Sequence, residues 1–362
     1  RSVLSVSMSE HMWPAPTVDR PVNGVVAVPG SKSITNRALI LAAISTTASA
    51  ISNVLVARDS QLMINALTSL GIDIDAADPS TVRVTPHPLR GPAQIDCGLA
   101  GTLMRFLPPL AATATGDIEF DGDEGARARP MATTISSLRE LGVAVSDDGR
   151  GGLPFTVHAT GDVPGGTIEL DASASSQFVS GLLLSAPRFR EGVTVVHRGS
   201  AIPSLPHIDM TLDMLRAAGA TYVSEASDPT HARWTVEPGP IALGDYVVEP
   251  DLSNAAAFLA AAMVTGGSVT VPGWPSHTTQ PGDDIRGVFE AMGGICTLDD
   301  RGLTVTGPTD LRGVSLDLRN IGELTPTVAA VAVFASTPSE LHGVAHLRGH
   351  ETDRLAALVT QI

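Results

Sequence analysis

Apolar and polar positions along the chain fall into a unit that repeats. Val22–Pro29 alternates as a strand does and feeds the turn Ser31-Lys32-Ser33, after which Ala38–Ile44 runs on as an apolar helix. Ile51–Leu55 reads as a second strand. Asp59–Leu70 reads as an amphipathic helix, with Leu62, Met63, Ala66, Leu67 and Leu70 on one face and Gly71 at its end. Two short strands, Ile72–Asp75 and Thr81–Thr85, close the unit. It therefore runs strand, helix, strand, helix, strand, strand.

The same order returns along the chain. Ile95–Thr102 leads into helix Leu103–Ala112, then strand Ile118–Phe120, helix Met131–Leu141 and strands Val143–Val145 and Phe155–His158. Ile168–Gln177 leads into helix Phe178–Ala186, strand Thr194–His197, helix Pro206–Ala218 and strands Thr221–Glu225 and Arg233–Glu237. Tyr246–Asn254 opens a fourth unit, with helix Ala255–Val264, strand Ser268–Val271 and helix Gly282–Met292. Leu316–Thr325 opens a fifth, with helix Pro326–Phe334, strand Ser339–Leu341 and the stretch Arg348–Ile362. The spacing is roughly 65–80 residues, which marks a repeat architecture, and five units divide unevenly between two similar domains, so a sixth unit of roughly 70 residues is expected after Ile362.

Composition narrows the classes. A chain of 362 residues is long enough for two domains. Hydrophobic residues are 43% but aromatics only 4%, so the cores must be Ala, Val, Leu and Ile. A net charge of −15 argues against nucleic acid or an anionic membrane as partner, and it makes any cluster of cations informative. Cys97 and Cys296 stand far apart in no metal or redox pattern, which suits a reducing cytosol. No apolar run reaches transmembrane length, and Arg1–Glu10 lacks the apolar centre of a signal peptide. Met8 is a candidate start.

The cations and small hydroxyl residues collect at the strand-to-helix loops. Lys32 is the only lysine among 23 basic residues. It stands with Arg37 near the first turn of a helix that Ser31 or Ser33 can cap, where free N–H groups and the helix dipole favour a phosphate or carboxylate. The stretch is not a Walker A loop, and taken alone it also fits a capped surface helix. Unit two offers Gly101, Thr102, Arg105, Arg127 and Arg129. Unit three offers Ser175, Ser176, Gln177 and Ser204, and unit five offers Glu323 and the run His346–Arg354. Singly these read as caps, solvated arginines or, for Glu351 and Arg354, a helix salt bridge. His346 and His350 have helical metal spacing but no evident third ligand, so no metal is expected. Recurrence at equivalent loops is what makes them a site for a molecule with several anionic groups.

Taken together, Pro29-Gly30-Ser31-Lys32-Ser33-x-Thr35-Asn36-Arg37-Ala38, Leu99-Ala100-Gly101-Thr102-x-x-Arg105, Arg129-Pro130, Ser175-Ser176-Gln177-Phe178 and Glu351-Thr352-Asp353-Arg354-Leu355 resemble the 5-enolpyruvylshikimate-3-phosphate synthase family, in an actinobacterial version, from about Pro14 to the end. The resemblance implies an α/β (α+β) fold of two domains, each built from three βαβαββ units, with ligands in the cleft between them. One domain would be discontinuous, 1–28 plus 246–362, and the other 29–245, with the sixth unit beyond Ile362. It implies transfer of the enolpyruvyl group of phosphoenolpyruvate to the 5-hydroxyl of shikimate 3-phosphate, with release of phosphate, in the route to chorismate and aromatic amino acids. It also implies a cytoplasmic monomer with two small-molecule substrates, no metal and no organic cofactor.

The same resemblance assigns residues. Lys32 would touch both substrates. Ser33 and Arg37 would hold shikimate 3-phosphate, with Ser175, Ser176 and Ser204 on its phosphate. Gly101, Thr102, Arg129, Gln177 and Arg354 would surround phosphoenolpyruvate. Glu323, where the family usually has Asp, would take the proton of the 5-hydroxyl, and Glu351 would be the second carboxylate for proton transfer. His350 takes the place of a substrate-binding Lys, and His346 the place of a common Asn. A later His-Arg pair and a Lys would lie beyond Ile362, so the 362-residue chain is expected to turn over little by itself. Two other readings stand beside it, one from a different class and one a related enzyme. An anion-binding protein or inert fragment fits the same loops. UDP-N-acetylglucosamine enolpyruvyl transferase would need a loop cysteine near Glu124–Arg129, where none stands.

Overall fold

The computed structural model describes residues 17–226, 228, 230–349 and 352–362. Its strands form four four-stranded sheets and one two-stranded sheet. In the second unit Ala93–Asp96 lies parallel to Thr115–Asp121, which pairs antiparallel with Phe155–Thr160, whose other neighbour is Ala144–Ser146. The third unit repeats this order with Gly166–Leu170, Val193–His197, Arg233–Val236 and Tyr222–Glu225. Each parallel pair needs a crossover, and a helix supplies it: Gly101–Ala111 in one case, Gln177–Ser185 in the other. The fifth unit contributes only Ser315–Asp317 and Glu340–His342, paired in parallel.

The first and fourth units exchange their opening strands, whereas the repeat read along the chain kept each strand with its own unit and the family resemblance grouped 1–28 with 246–362. Asn23–Val25 does not join the unit it precedes but pairs in parallel with Ser268–Val271 of the fourth. Tyr246–Val247 pairs in parallel with Ser49–Ser52 of the first. Alternation reveals that a segment is a strand but not which of two equivalent sheet edges it will join. The fourth unit also holds the hairpin Ile295–Asp299 and Gly302–Thr306, which the sequence reading passed over although Leu303 and Val305 alternate with polar residues. The helix expected over Gly282–Met292 is a 3₁₀ turn, Pro281–Asp284, followed by helix Ile285–Ala291.

Two apolar cores result. The larger runs through the chain from Ile34 to Val248, and the smaller from Leu252 to Val331, with Val22, Val26 and Val28 packed on it. At the centre of the larger lobe lie helices Lys32–Ala43, Gly101–Ala111 and Gln177–Ser185. Beyond their first residues all three are buried on every face, and Lys32–Ala43 carries Thr35, Asn36 and Arg37 into that interior.

The chain passes between the lobes twice, and the passing segments hold each other. Ser31 N–H donates to the Glu249 carbonyl at 2.8 Å, and Asp251 N–H donates to the Pro29 carbonyl at 2.9 Å. Gly30 faces Pro250 in an antiparallel bridge. A Cβ on Gly30 would overlap the carbonyl oxygen of Asn53, a residue itself at φ 56°. Gly30→Ala is therefore expected to lower unfolding stability by about 1–3 kcal/mol, as overpacking does, and thermal unfolding reads the loss. An unchanged melting temperature would contradict this account of the crossing.

Candidate active site

Helices from both lobes aim their N-termini into one cleft of about 680 Å³, a size suited to small ligands. From the larger lobe come the starts of Lys32–Ala43, Gly101–Ala111 and Gln177–Ser185. From the smaller come those of Leu252–Thr265 and Arg354–Gln361, and the turn Gly322–Leu324 that precedes Thr325–Ala332. Each start presents N–H groups without intrahelical partners and the positive end of a dipole, so the cleft attracts anions before any side chain is counted.

Lys32 opens its helix behind the Ser31 cap, whose hydroxyl faces the Ile34 N–H. Its ammonium lies 3.3 Å from the Asp59 carboxylate and is 42% exposed, so an entering anion can reach it. Asp59 was missed by the sequence reading, where it looked like an ordinary acidic residue in a helix's first turn. Asp251 was missed as well. Its carboxylate accepts from Asn254 N–H at 2.9 Å, capping helix Leu252–Thr265, and from Lys32 N–H at 3.2 Å, so one side chain caps helices of both lobes.

Arg37 departs from its expected place. It does not line the cleft but is fully buried behind it. Its guanidinium donates to the Ser33 carbonyl, the Thr211 hydroxyl and the His207 carbonyl at 2.8–3.0 Å and lies 4.9 Å from the centre of the Phe106 ring. Burial lowers its pKa to about 9, which still leaves it charged at neutral pH. Its position one helical turn after Ser33 turns it onto the face packed against helix Pro206–Ala217. In this structure it braces the Lys32 helix.

The second and third loops open onto the cleft. Gly101, Thr102, Arg129, Ser175, Ser176, Gln177 and Ser204 all border the cleft. A Cβ at Gly101 would come within 2.8 Å of the Arg129 guanidinium, so glycine leaves that cation its place. Arg129 donates to the Leu99 carbonyl at 2.9 Å, at the head of the Gly101 helix. Ser175 accepts from Gln177 N–H at 3.2 Å. Ser204 has φ 54°, rare for a residue with a Cβ, and its N–H reaches the Arg319 carbonyl of the smaller lobe at 3.0 Å. Arg127 stands apart on the surface, paired with Asp121.

From the smaller lobe come Glu323, His346 and Arg354. Burial raises the Glu323 carboxyl to about 7; Asp251 adds to the rise, while the Ser253 hydroxyl, 3.4 Å away, and Arg354 oppose it. A carboxyl so placed exchanges protons near neutral pH. Burial lowers the pKa of His346. His350 and Glu351 lie outside the described residues. Among those described, no group of three or more His, Cys, Asp and Glu side chains could hold a metal, and no helix is long and apolar enough to cross a membrane.

Comparison with known proteins agrees with this architecture. The fold resembles that of an EPSP synthase from Acinetobacter baumannii, at a TM-score of 0.79 and 23% identity, over 95% of this chain and 78% of that one. It also resembles the enolpyruvyl transferase NikO from Streptomyces tendae, at a TM-score of 0.64 and 16% identity, over 90% of this chain and 76% of that one. The class is thus that of the enolpyruvyl transferase fold. A 3-phosphoshikimate 1-carboxyvinyltransferase of Kocuria rhizophila is 53% identical over 366 residues, covering 98% of this chain and 81% of that protein. The model of the EPSP synthase (3-phosphoshikimate 1-carboxyvinyltransferase) family matches residues 16–362, and the chain belongs to that family.

Proposed function

We propose that the cleft joins phosphoenolpyruvate to the 5-hydroxyl of shikimate 3-phosphate and releases phosphate, with Lys32 between the two substrates. The observation that carries this reading is the pairing, in one cleft, of anion-binding helix starts with the Glu323 carboxyl, which burial raises to about 7. In addition, Glu323 takes the proton of the 5-hydroxyl as its oxygen bonds to C2 of phosphoenolpyruvate, and an acid, for which Glu351 is the candidate, protonates C3. In elimination a proton leaves C3, the C2–O bond to phosphate breaks and phosphate departs. Lys32, Arg129 and Arg354 stabilise the charge that moves onto phosphate oxygens, together with the amides of the Gly101 helix. Ser33, Ser175, Ser176 and Ser204 hold shikimate 3-phosphate, while Gly101, Thr102 and Gln177 border phosphoenolpyruvate, and His350 acts in place of the family's substrate-binding lysine. Approach of the lobes about the Gly30–Pro250 crossing excludes water.

The same reading includes two domains divided near Val28 and Tyr246, and action as a cytoplasmic monomer of actinobacterial type without nucleic acid or membrane. The charge of −15 supports the last point. Phosphate release is expected only when both substrates are present with the intact protein. Release with phosphoenolpyruvate alone, or calorimetric titration showing no uptake of shikimate 3-phosphate, would overturn the reading.

A further inference from the structure

The side chain of Asn36 is wholly buried between helices Lys32–Ala43 and Gly101–Ala111, and nothing in the cleft's chemistry has so far used it. Its Nδ2 donates to the Thr102 hydroxyl oxygen at 2.7 Å. Thr102 is itself 6% exposed and borders the cleft. We infer that Asn36 is a positioning residue, whose amide holds the Thr102 hydroxyl as a hydrogen-bond donor toward an anionic oxygen in the cleft. The inference deepens the proposed reading, on which it rests for the identity of that anion.

The orientation of the amide follows from what each alternative would bury. With Nδ2 toward Thr102, one carbonyl oxygen, Oδ1, is left without a hydrogen-bond partner. Turned over, the amide would accept from Thr102 and bury two unbonded N–H donors where one is buried now, and an orphaned N–H is tolerated less often than an orphaned carbonyl oxygen. With the observed orientation one lone pair of Thr102 Oγ1 accepts the amide's bond, and the hydroxyl's hydrogen remains to be donated into the cleft. A hydroxyl that accepts a bond is also polarised into a better donor. The setting suits that use. The N-cap residue Ala100 supplies no side-chain cap to the Gly101 helix, so the hydroxyl at its second position points the same polarity as the helix's own amides. The result favours an anion's oxygen in this part of the cleft. Asn36 also follows Lys32 by one helical turn, so one helix carries both the ammonium and the group that orients the second donor.

A double-mutant cycle tests this with the full-length protein. Binding of phosphoenolpyruvate in the presence of shikimate 3-phosphate, and of inorganic phosphate alone, is titrated for the unmodified protein, Asn36→Ala, Thr102→Val and the pair. Each single change is expected to weaken anion binding roughly 10-fold or more, the size of one hydrogen bond to a charged group. In the Thr102→Val background, Asn36→Ala is expected to add less than about twofold, because the two act through one hydroxyl. Thr102→Ser keeps the hydroxyl and is expected to bind within about threefold of the unmodified protein. Additive losses, or an Asn36→Ala protein that melts lower yet binds both anions normally, would overturn the inference. Should Asn36→Ala not fold, Thr102→Val binding as tightly as Thr102→Ser would do so as well. Failure of the functional reading shows separately, as absence of phosphate release by the unmodified protein, while the inorganic phosphate arm still reads the cycle.

Discussion

Replacing Lys32 by methionine is expected to lower phosphate release by about 10²–10³-fold or more, the loss typical of removing one preorganised donor to developing charge. The side chain keeps its length and apolar stem and loses only its charge, so the change isolates the ammonium. Stability should barely move. The pair with Asp59 is half exposed, and such pairs contribute about 0–1 kcal/mol. A melting temperature near that of the unmodified protein together with lost turnover would therefore place the effect in the cleft. Turnover within about tenfold of the unmodified protein would remove Lys32 from the mechanism.

Glu323→Gln is expected to lower kcat by about 10²–10⁴-fold, the range for loss of a general base, with a smaller effect on KM. The pH profile should carry the same signature. As a base, Glu323 must be ionised, so kcat/KM of the unmodified protein is expected to fall as pH drops through about 7, and the residual activity of the variant should lose that limb. Stability runs in the opposite sense. The folded carboxyl titrates near 7 against 4.5 for the free group, so the proton it retains favours the fold fully below 4.5. That contribution is lost as pH rises through about 7. Glu323→Gln is thus expected to melt higher than the unmodified protein at pH 8 and at a similar temperature at pH 4. A variant that melts lower at pH 8 would show that the carboxylate is well paired rather than poised. A variant that melts higher would mark the carboxyl as function retained at a cost in stability.

The parts of the site legible in the sequence are those where the chemistry lies next to a helix start. Lys32, Gly101-Thr102 and Ser175-Ser176-Gln177 each follow a short strand and precede an apolar run, and all of them border the cleft. The residues that were missed or misplaced depend on partners far along the chain. Asp59 matters because Lys32 lies beside it, Asn36 because Thr102 does, and Asp251 because the Lys32 N–H meets it across 219 residues. Arg37 stands beside Lys32 at the same helix start, yet its helical position turns it toward Thr211 and Phe106. The raised Glu323 carboxyl was likewise invisible, since burial and the approach of Asp251 set it.

By itself the sequence determined the recurring strand and helix unit, the avoidance of lysine outside one loop, and the placing of hydroxyl and cationic residues at helix starts. Periodicity and capping depend on neighbours within a few residues, so they can be read locally. Only the tertiary structure decided that Asn23–Val25 and Tyr246–Val247 trade sheets, and that this exchange ties the lobes at Gly30 and Pro250. It also decided that the helix starts of both lobes face one cleft. Strand edges of equivalent units are interchangeable in pattern, and the choice between them rests on the packing of two whole apolar cores, which no short stretch of sequence contains.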